Sequence, residues 1–474
     1  MEILRKAVFA ATAASQTRSA GKPLPLAADE QRALDAVRRL WRAFATAYQR
    51  CLQACLDGDS SLDGHAARVA HRVAACLHME QVAGYASGAA PLAGFWHCLH
   101  TAFLTAEKLE CGDEPVADRW PGDVSGTTFN GQYAMSLMLY LAQPFSMSGV
   151  QRTSVERWLA RWRELAGVTA QAPADAESVS WRIDLGQDRP LCEDGEIGET
   201  NLSRWLRLDA VLGKIRGRRA ALQAGESPEN LKLGSHLTAD ACLVLLATLG
   251  RHLRQVPPDF SIGRAEMPEL SIAVGLASIH RLLGGAGINV ASNSSPSMDD
   301  HMASEQLAVF GRVLPERRSP PTVDLERWRL AQRNGRHALL LRQSGNGNSR
   351  LNVQAVLAIR RQDNFLLAMA TGVGQPEGGL LCCFVRLLSD KVMPRGVEIR
   401  DRITGKVERH PTLLLPSDGE HATRDLLLIP AGVMARASSV QFLDAGGQPL
   451  PGLRLGECLE HGNEVDVWPV VHVD

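Results

Sequence analysis

The sequence has no run of eighteen or more apolar residues, so no membrane-spanning helix is expected. Neither sign of charge is in excess: 51 Lys and Arg stand against 52 Asp and Glu, for a formal net charge of -1. A chain that grips nucleic acid through its phosphates usually shows a basic surplus, so neither DNA nor RNA is expected as a partner. Paired-cysteine spacing is also missing. The ten cysteines form no CxxC, and no HExxH accompanies them. Both a disulfide framework and a zinc ribbon are therefore disfavoured. Cys51, Cys55, Cys76, Cys98, Cys242, Cys382 and Cys383 sit in apolar stretches and read as buried thiols in a reducing cytoplasm. There is no GxSxG elbow and no GxxxxGK[ST] phosphate loop. The opening residues carry Arg5 and Lys6 before a brief apolar stretch, and residues 1–22 are expected to be a disordered tail rather than a secretion signal.

What is present changes character near the middle of the 474 residues. The first half is periodic in the helical sense. Leu34, Val37, Leu40, Trp41, Phe44, Tyr48, Cys51, Leu52 and Cys55 recur three to four residues apart, which predicts a long amphipathic helix over Asp29–Asp57. Further helices are predicted over Asp63–Ala83, Leu92–Leu109, Asn130–Ala142 (ending before Pro144) and Thr153–Leu165. Short loops make residues 23–168 an all-α bundle. The Pro/Ala stretch Ala170–Ser178 reads as a linker. After it, a strand at Ser180–Asp184 and helices at Asn201–Ala224 and Leu237–Leu253 make residues 176–257 a small α+β middle block.

The remainder, 258–474, reads as an antiparallel β-barrel. Glu269–Leu282 alternates like a strand and then turns helical, and about 286–305 is polar and expected to be a mobile loop. Strands are predicted at Trp328–Gln343, Leu351–Ile359, Asn364–Gly372, Leu380–Leu388, Arg395–Arg400, Leu426–Ile429 and Ser438–Leu443, with a hairpin turn at Ser344–Asn348. The fold class is thus multidomain α+β: an N-terminal all-α bundle, a small α+β middle block and a C-terminal antiparallel barrel.

Several clusters suggest chemistry. Cys51, Cys55, His71, His78, His97 and His100 would make a metal site only if three helices converged, and packed thiols and edge histidines are the expectation, with no metal. Gly372-Val373-Gly374 with Gly378-Gly379 lacks a following helix and reads as a hairpin rather than a dinucleotide loop. The stripe Tyr133, Met135, Met138, Tyr140 and Phe145 fits either an adaptable partner groove or, more simply, core. Lys214, Arg216, Arg218 and Arg219 would suit phosphates or an acidic partner, or else form a solvated face. No catalytic constellation is visible.

The segments SIAVGLASIH (Ser271–His280), WRLAQRNGRHALLLR (Trp328–Arg342) and RGVEI (Arg395–Ile399) follow one another as in PilZ domains, the small bacterial barrels that bind cyclic di-GMP. With QYAMSLMLYLAQPF (Gln132–Phe145) and LRLGECLE (Leu453–Glu460), the whole chain resembles the large proteobacterial PilZ-containing proteins. That resemblance implies a ligand site made by an RxxxR arm before the first strand and a [D/N]xSxxG motif on the next. Guanidinium groups there pair with phosphates and stack on guanine. Here the arm offers Arg264 alone, and the strand offers Gln332, Arg333 and Asn334, with His337 at the glycine position. Arg329 and Arg333 repeat the RxxxR spacing on one face of that strand by alternation.

These readings converge on a non-enzymatic, cytoplasmic regulatory or adaptor protein. Its PilZ-like barrel would be a degenerate cyclic di-GMP receptor, and its helical domain would bind protein partners. The alternatives are a working cyclic di-GMP receptor controlling motility, pili or biofilm, and an enzyme with an unrecognised site in the helical half. No cofactor and no membrane insertion are expected.

Overall fold

A computed structural model of the protein describes residues 2–117, 127–173, 175, 178–192, 200–255, 267–285, 324–343, 346–362, 364–376, 379–417, 424–462 and 464–472, with side chains from residue 9 onward. The segment 286–305 lies outside the described residues. Two compact units result: residues 1–265 with 372–382, and residues 266–371 with 383–474.

The first unit is mostly helical. The long stripe folds as α2 (Ala28–Leu56), and Leu34, Val37, Trp41, Ala45, Tyr48 and Leu52 on it are buried. That spacing of three to four puts every one of them on a single face. Its first turn is held by Glu30, whose carboxylate accepts the Ala27 N–H at 2.7 Å. The face packs on α3 (Ala66–Ala86) and α4 (Phe95–Lys108). Glu80 of α3 is fully buried and is met by Arg42 of α2, with Nε to Oε2 at 2.7 Å and Nη2 to Oε1 at 2.8 Å. Residues 2–19 are not a tail. They form α1 (Glu2–Ser19), which packs on α2, and the Phe9 ring lies 5.1 Å from that of Trp41.

Helix α5 (Phe129–Leu141) is apolar all round and buried along nearly its whole length. Thr128 caps it by accepting the Gly131 N–H at 2.9 Å. Tyr133, Met135 and Met138 are fully buried, so the Met/aromatic stripe is core and offers no groove at those positions. Helix α6 (Gly149–Trp162) follows, capped by Ser148. The next segments give β1 (Gly167–Thr169), β2 (Ser180–Asp184) and β3 (Ser203–Arg207), an antiparallel sheet in the order β1-β3-β2. The start of the helix expected from Asn201 is therefore strand β3. Helix begins only with α7 (Asp209–Gln223), which packs against α8 (Ala239–His252).

The second unit is antiparallel β. Strand β4 (Glu269–Val274) leads into the short helix α9 (Leu276–Leu282), as the change of period there predicts. Strands β5 (Glu326–Asn334), β6 (His337–Arg342), β7 (Val356–Arg360), β8 (Phe365–Gly374) and β9 (Leu381–Ser389) close a six-stranded barrel with β4, in the order β4-β5-β6-β9-β8-β7. The barrel does not account for the whole C-terminal part. Strands β10 (Met393–Asp401), β11 (Val407–Leu415), β12 (Leu426–Pro430), β13 (Ala437–Leu443), β14 (Leu453–Leu455) and β15 (Val465–His472) form a separate six-stranded sheet, ordered β13-β10-β11-β12-β15-β14. Alternation on β11 divides its leucines. Leu413 and Leu415 join a core with Ile279, Val356 and Leu367, while Leu414 joins the core under α10 (Val433–Arg436). A buried ion pair ties β5 to β6: Arg342 Nη1 meets Glu326 Oε2 at 2.5 Å, and the Glu326 oxygens also accept Trp328 Nε1 (3.2 Å) and Ser349 N (2.7 Å).

Candidate anion-binding site

Expected ligand residues of the barrel fall at the tip of a hairpin. Strand β5 ends at Asn334 and β6 begins at His337, paired with it across a two-residue turn, Gly335-Arg336. Gly335 has φ +56°, the left-handed backbone that a tight hairpin needs and that glycine adopts without strain. The segment Trp328–Gln343, expected as one strand, is therefore two, β5 and β6, and β6 neighbours β5 and β9 rather than β7, so the hairpin expected across Ser344–Asn348 is not formed. Gln332, Arg333 and Asn334 are all exposed there. The register slips between Leu330 and Gln332, where β5 carries a bulge. Arg329 pairs with Leu341 and Gln332 with Leu339, so these two share one face, whereas Arg333 pairs with Ala338 on the other. The alternation that would align Arg329 with Arg333 is broken by that extra residue. Arg264 lies outside the described residues.

A concave basic site occurs instead between α7 and α8, in the helical unit. Arg216 and Arg219, one turn apart on α7, face Arg251 and Arg254 across a cleft of about 300 Å³ floored by Leu212, Ile215 and Leu246. No Asp or Glu lines it. Among the described residues none of the four guanidiniums has a carboxylate partner; Arg254 Nη1 donates to the Gly250 carbonyl at 3.1 Å, and Arg219 Nε is enclosed with no hydrogen-bond partner. Gly250 packs against Ile215, and a Cβ there would make an ordinary contact of 3.4 Å with Ile215 Cγ2. Among the described residues, four like charges thus gather around an apolar floor without a carboxylate partner, an arrangement that attracts anions. The α7 half of this cluster is visible in the sequence as Arg216 and Arg219. Arg251 and Arg254 are added only by the helix pairing.

The histidines and thiols of the helical unit do not gather. His100 is buried, with Nδ1 2.8 Å from the Tyr133 hydroxyl and Nε2 2.9 Å from the Arg189 carbonyl. The carbonyl can only accept, so Nε2 carries the proton and Nδ1 accepts from Tyr133. Burial holds this imidazole down to about 4. His71 Nε2 is engaged by Thr127 Oγ1 at 2.9 Å. Gly372 and Gly374 end β8, which runs on to strand β9 rather than to a helix. No described helix is long and apolar enough to cross a membrane.

No curated protein and no solved structure matches the chain. Residues 1–173 of the 474 match a family model described as the N-terminal domain of the cyclic-di-GMP receptor FimW.

Proposed function

We propose that this protein is a non-enzymatic, cytoplasmic regulatory receptor of cyclic di-GMP. The match over residues 1–173 carries the reading, because the family it points to is described as a receptor of that nucleotide. The arginine cleft between α7 and α8 supplies physical means. Cyclic di-GMP presents two phosphodiester anions beside flat purines. Guanidiniums pair with the first and stack on the second, and Leu212, Ile215 and Leu246 give an apolar floor. The barrel of the second unit is PilZ-like in this reading, with a degenerate nucleotide arm, and serves as an interaction module. The bundle of the first unit presents a surface to protein partners.

A second placement rests on one observation: Gln332, Arg333 and Asn334 are exposed together at the β5–β6 tip. Calorimetric titration separates the two. Each charge-assisted phosphate contact contributes about 1.5–3 kcal/mol, so Arg216→Ala or Arg251→Ala should weaken binding by roughly ten- to a hundredfold. Arg333→Ala should leave it unchanged. Loss in Arg333→Ala with full binding in the cleft variants would move the site to the barrel. No binding in the parent protein would refute the receptor reading.

A further inference from the structure

The loop between β14 and β15 carries a side-chain set that the cysteine spacing does not advertise. Cys458, His461 and Asp466 bring Sγ, Nδ1 and Oδ1 within 4.8 Å of one another, and among the described residues no other such group forms. The Sγ–Nδ1 separation is 3.5 Å and the Nδ1–Oδ1 separation is 3.4 Å. Around a tetrahedral zinc ion, with bonds of about 2.3 Å to sulfur and 2.0–2.1 Å to nitrogen and oxygen, the corresponding edges are about 3.5 and 3.3 Å. The two edges that meet at His461 Nδ1 already match those of such a polyhedron.

The backbone holds them there. Leu459 N–H donates to the Val467 carbonyl and Val467 N–H to the Glu460 carbonyl, both at 2.9 Å, so the loop folds back along β15. Gly462 makes the return possible, since a Cβ there would collide with the Val465 carbonyl. Asp466 is almost fully buried, and its two oxygens accept the Gly432 and Gly462 N–H groups at 3.1 Å each, which fixes the orientation of the carboxylate. The His461 ring stands edge-on to Trp468, 6.3 Å away, and is otherwise open to solvent, leaving room for a fourth ligand.

We propose that Cys458, His461 and Asp466 form a three-ligand site for a divalent transition metal of the zinc class, with water or a partner's side chain completing the coordination. A thiolate and an imidazole select against magnesium and calcium, and two anionic ligands neutralise a doubly charged ion. On binding, the S–Zn bond forms as the thiol proton, now shared with the Glu460 and Val467 carbonyls at 3.3 and 3.5 Å, passes to solvent. Affinity therefore rises with pH. The proposal is independent of the nucleotide reading.

Cobalt(II) titration of chelator-treated full-length protein tests it. Expected are one equivalent bound, the intense visible bands of a four-coordinate ion and a near-ultraviolet sulfur-to-cobalt charge-transfer band, all displaced by zinc. Cys458→Ser should abolish the charge-transfer band. His461→Ala, at an exposed side chain, should weaken binding at least tenfold, on the order seen when ligand shells are disturbed. A charge-transfer band that persists in Cys458→Ser would assign the metal to other thiols and overturn the proposal. So would the absence of cobalt binding, or unaltered affinity in His461→Ala.

Discussion

Replacing Arg42 by alanine isolates the most consequential polar contact of the helical unit. Arg42 joins α2 to α3 through two bonds to Glu80 and reaches the Ala93 carbonyl at 3.2 Å. Glu80 has no exposed surface, and without Arg42 its one hydrogen bond among the described residues is from the Leu92 N–H at 3.2 Å, with the Arg38 guanidinium near enough to interact but not bonded to it. A buried ion pair is worth little against a well-packed apolar pair, but a charge stripped of its partner costs about 3–5 kcal/mol. In a unit of this size that corresponds to a fall in Tm of roughly 10 °C. The double variant Arg42→Met, Glu80→Leu should recover most of the loss. Urea unfolding of parent and variants, followed by tryptophan fluorescence, gives each number. A deficit under about 1 kcal/mol, or no recovery in the double variant, would refute the reasoning.

Other outcomes follow from the same contacts. His100, held neutral to about pH 4 by burial, takes up its proton on unfolding near pH 6.5. Its folded pKa is depressed, so the native state binds fewer protons, and about 3 kcal/mol of stability present above pH 6.5 is lost as pH falls toward 4; His100→Gln should flatten that slope in acid unfolding curves. Removing Arg342 leaves buried Glu326 with Trp328 Nε1 and the Ser349 N–H but no counter-charge, so Arg342→Met should lower barrel stability by about 3 kcal/mol in chemical denaturation. Gly335→Val forces a β-branched residue to φ near +56° and should cost about 1–3 kcal/mol, whereas Gly335→Asn should be tolerated.

How far these features show in the sequence depends on whether their causes are local. Helix α2 is legible because its buried residues repeat on one face, and the β4–α9 junction because its period visibly changes. Strand β3 is not, since Ser203–Arg207 is extended by pairing with β1 and β2 on both sides rather than by its own pattern. Two strands of the second sheet escape notice for a shared reason. Pro411 interrupts β11 and Pro469 interrupts β15, and proline counts against an interior strand because it cannot donate to the ladder. The β5–β6 turn, Gly335-Arg336, is masked by the continuous apolar run Ala338–Leu341, which makes Trp328–Gln343 read as one long strand. The basic cleft is half legible, and so is the Cys458 cluster, whose third ligand comes from the neighbouring strand. A site assembled from two elements leaves no spacing in either one.

Titration of the full-length protein with cyclic di-GMP, alongside Arg216→Ala and Arg251→Ala, tests the central claim most directly. The account predicts saturable binding that weakens with added salt, as exposed phosphate–guanidinium contacts are screened, and that falls by roughly ten- to a hundredfold in each variant while the fold is unchanged. Absence of binding to the parent protein would contradict it.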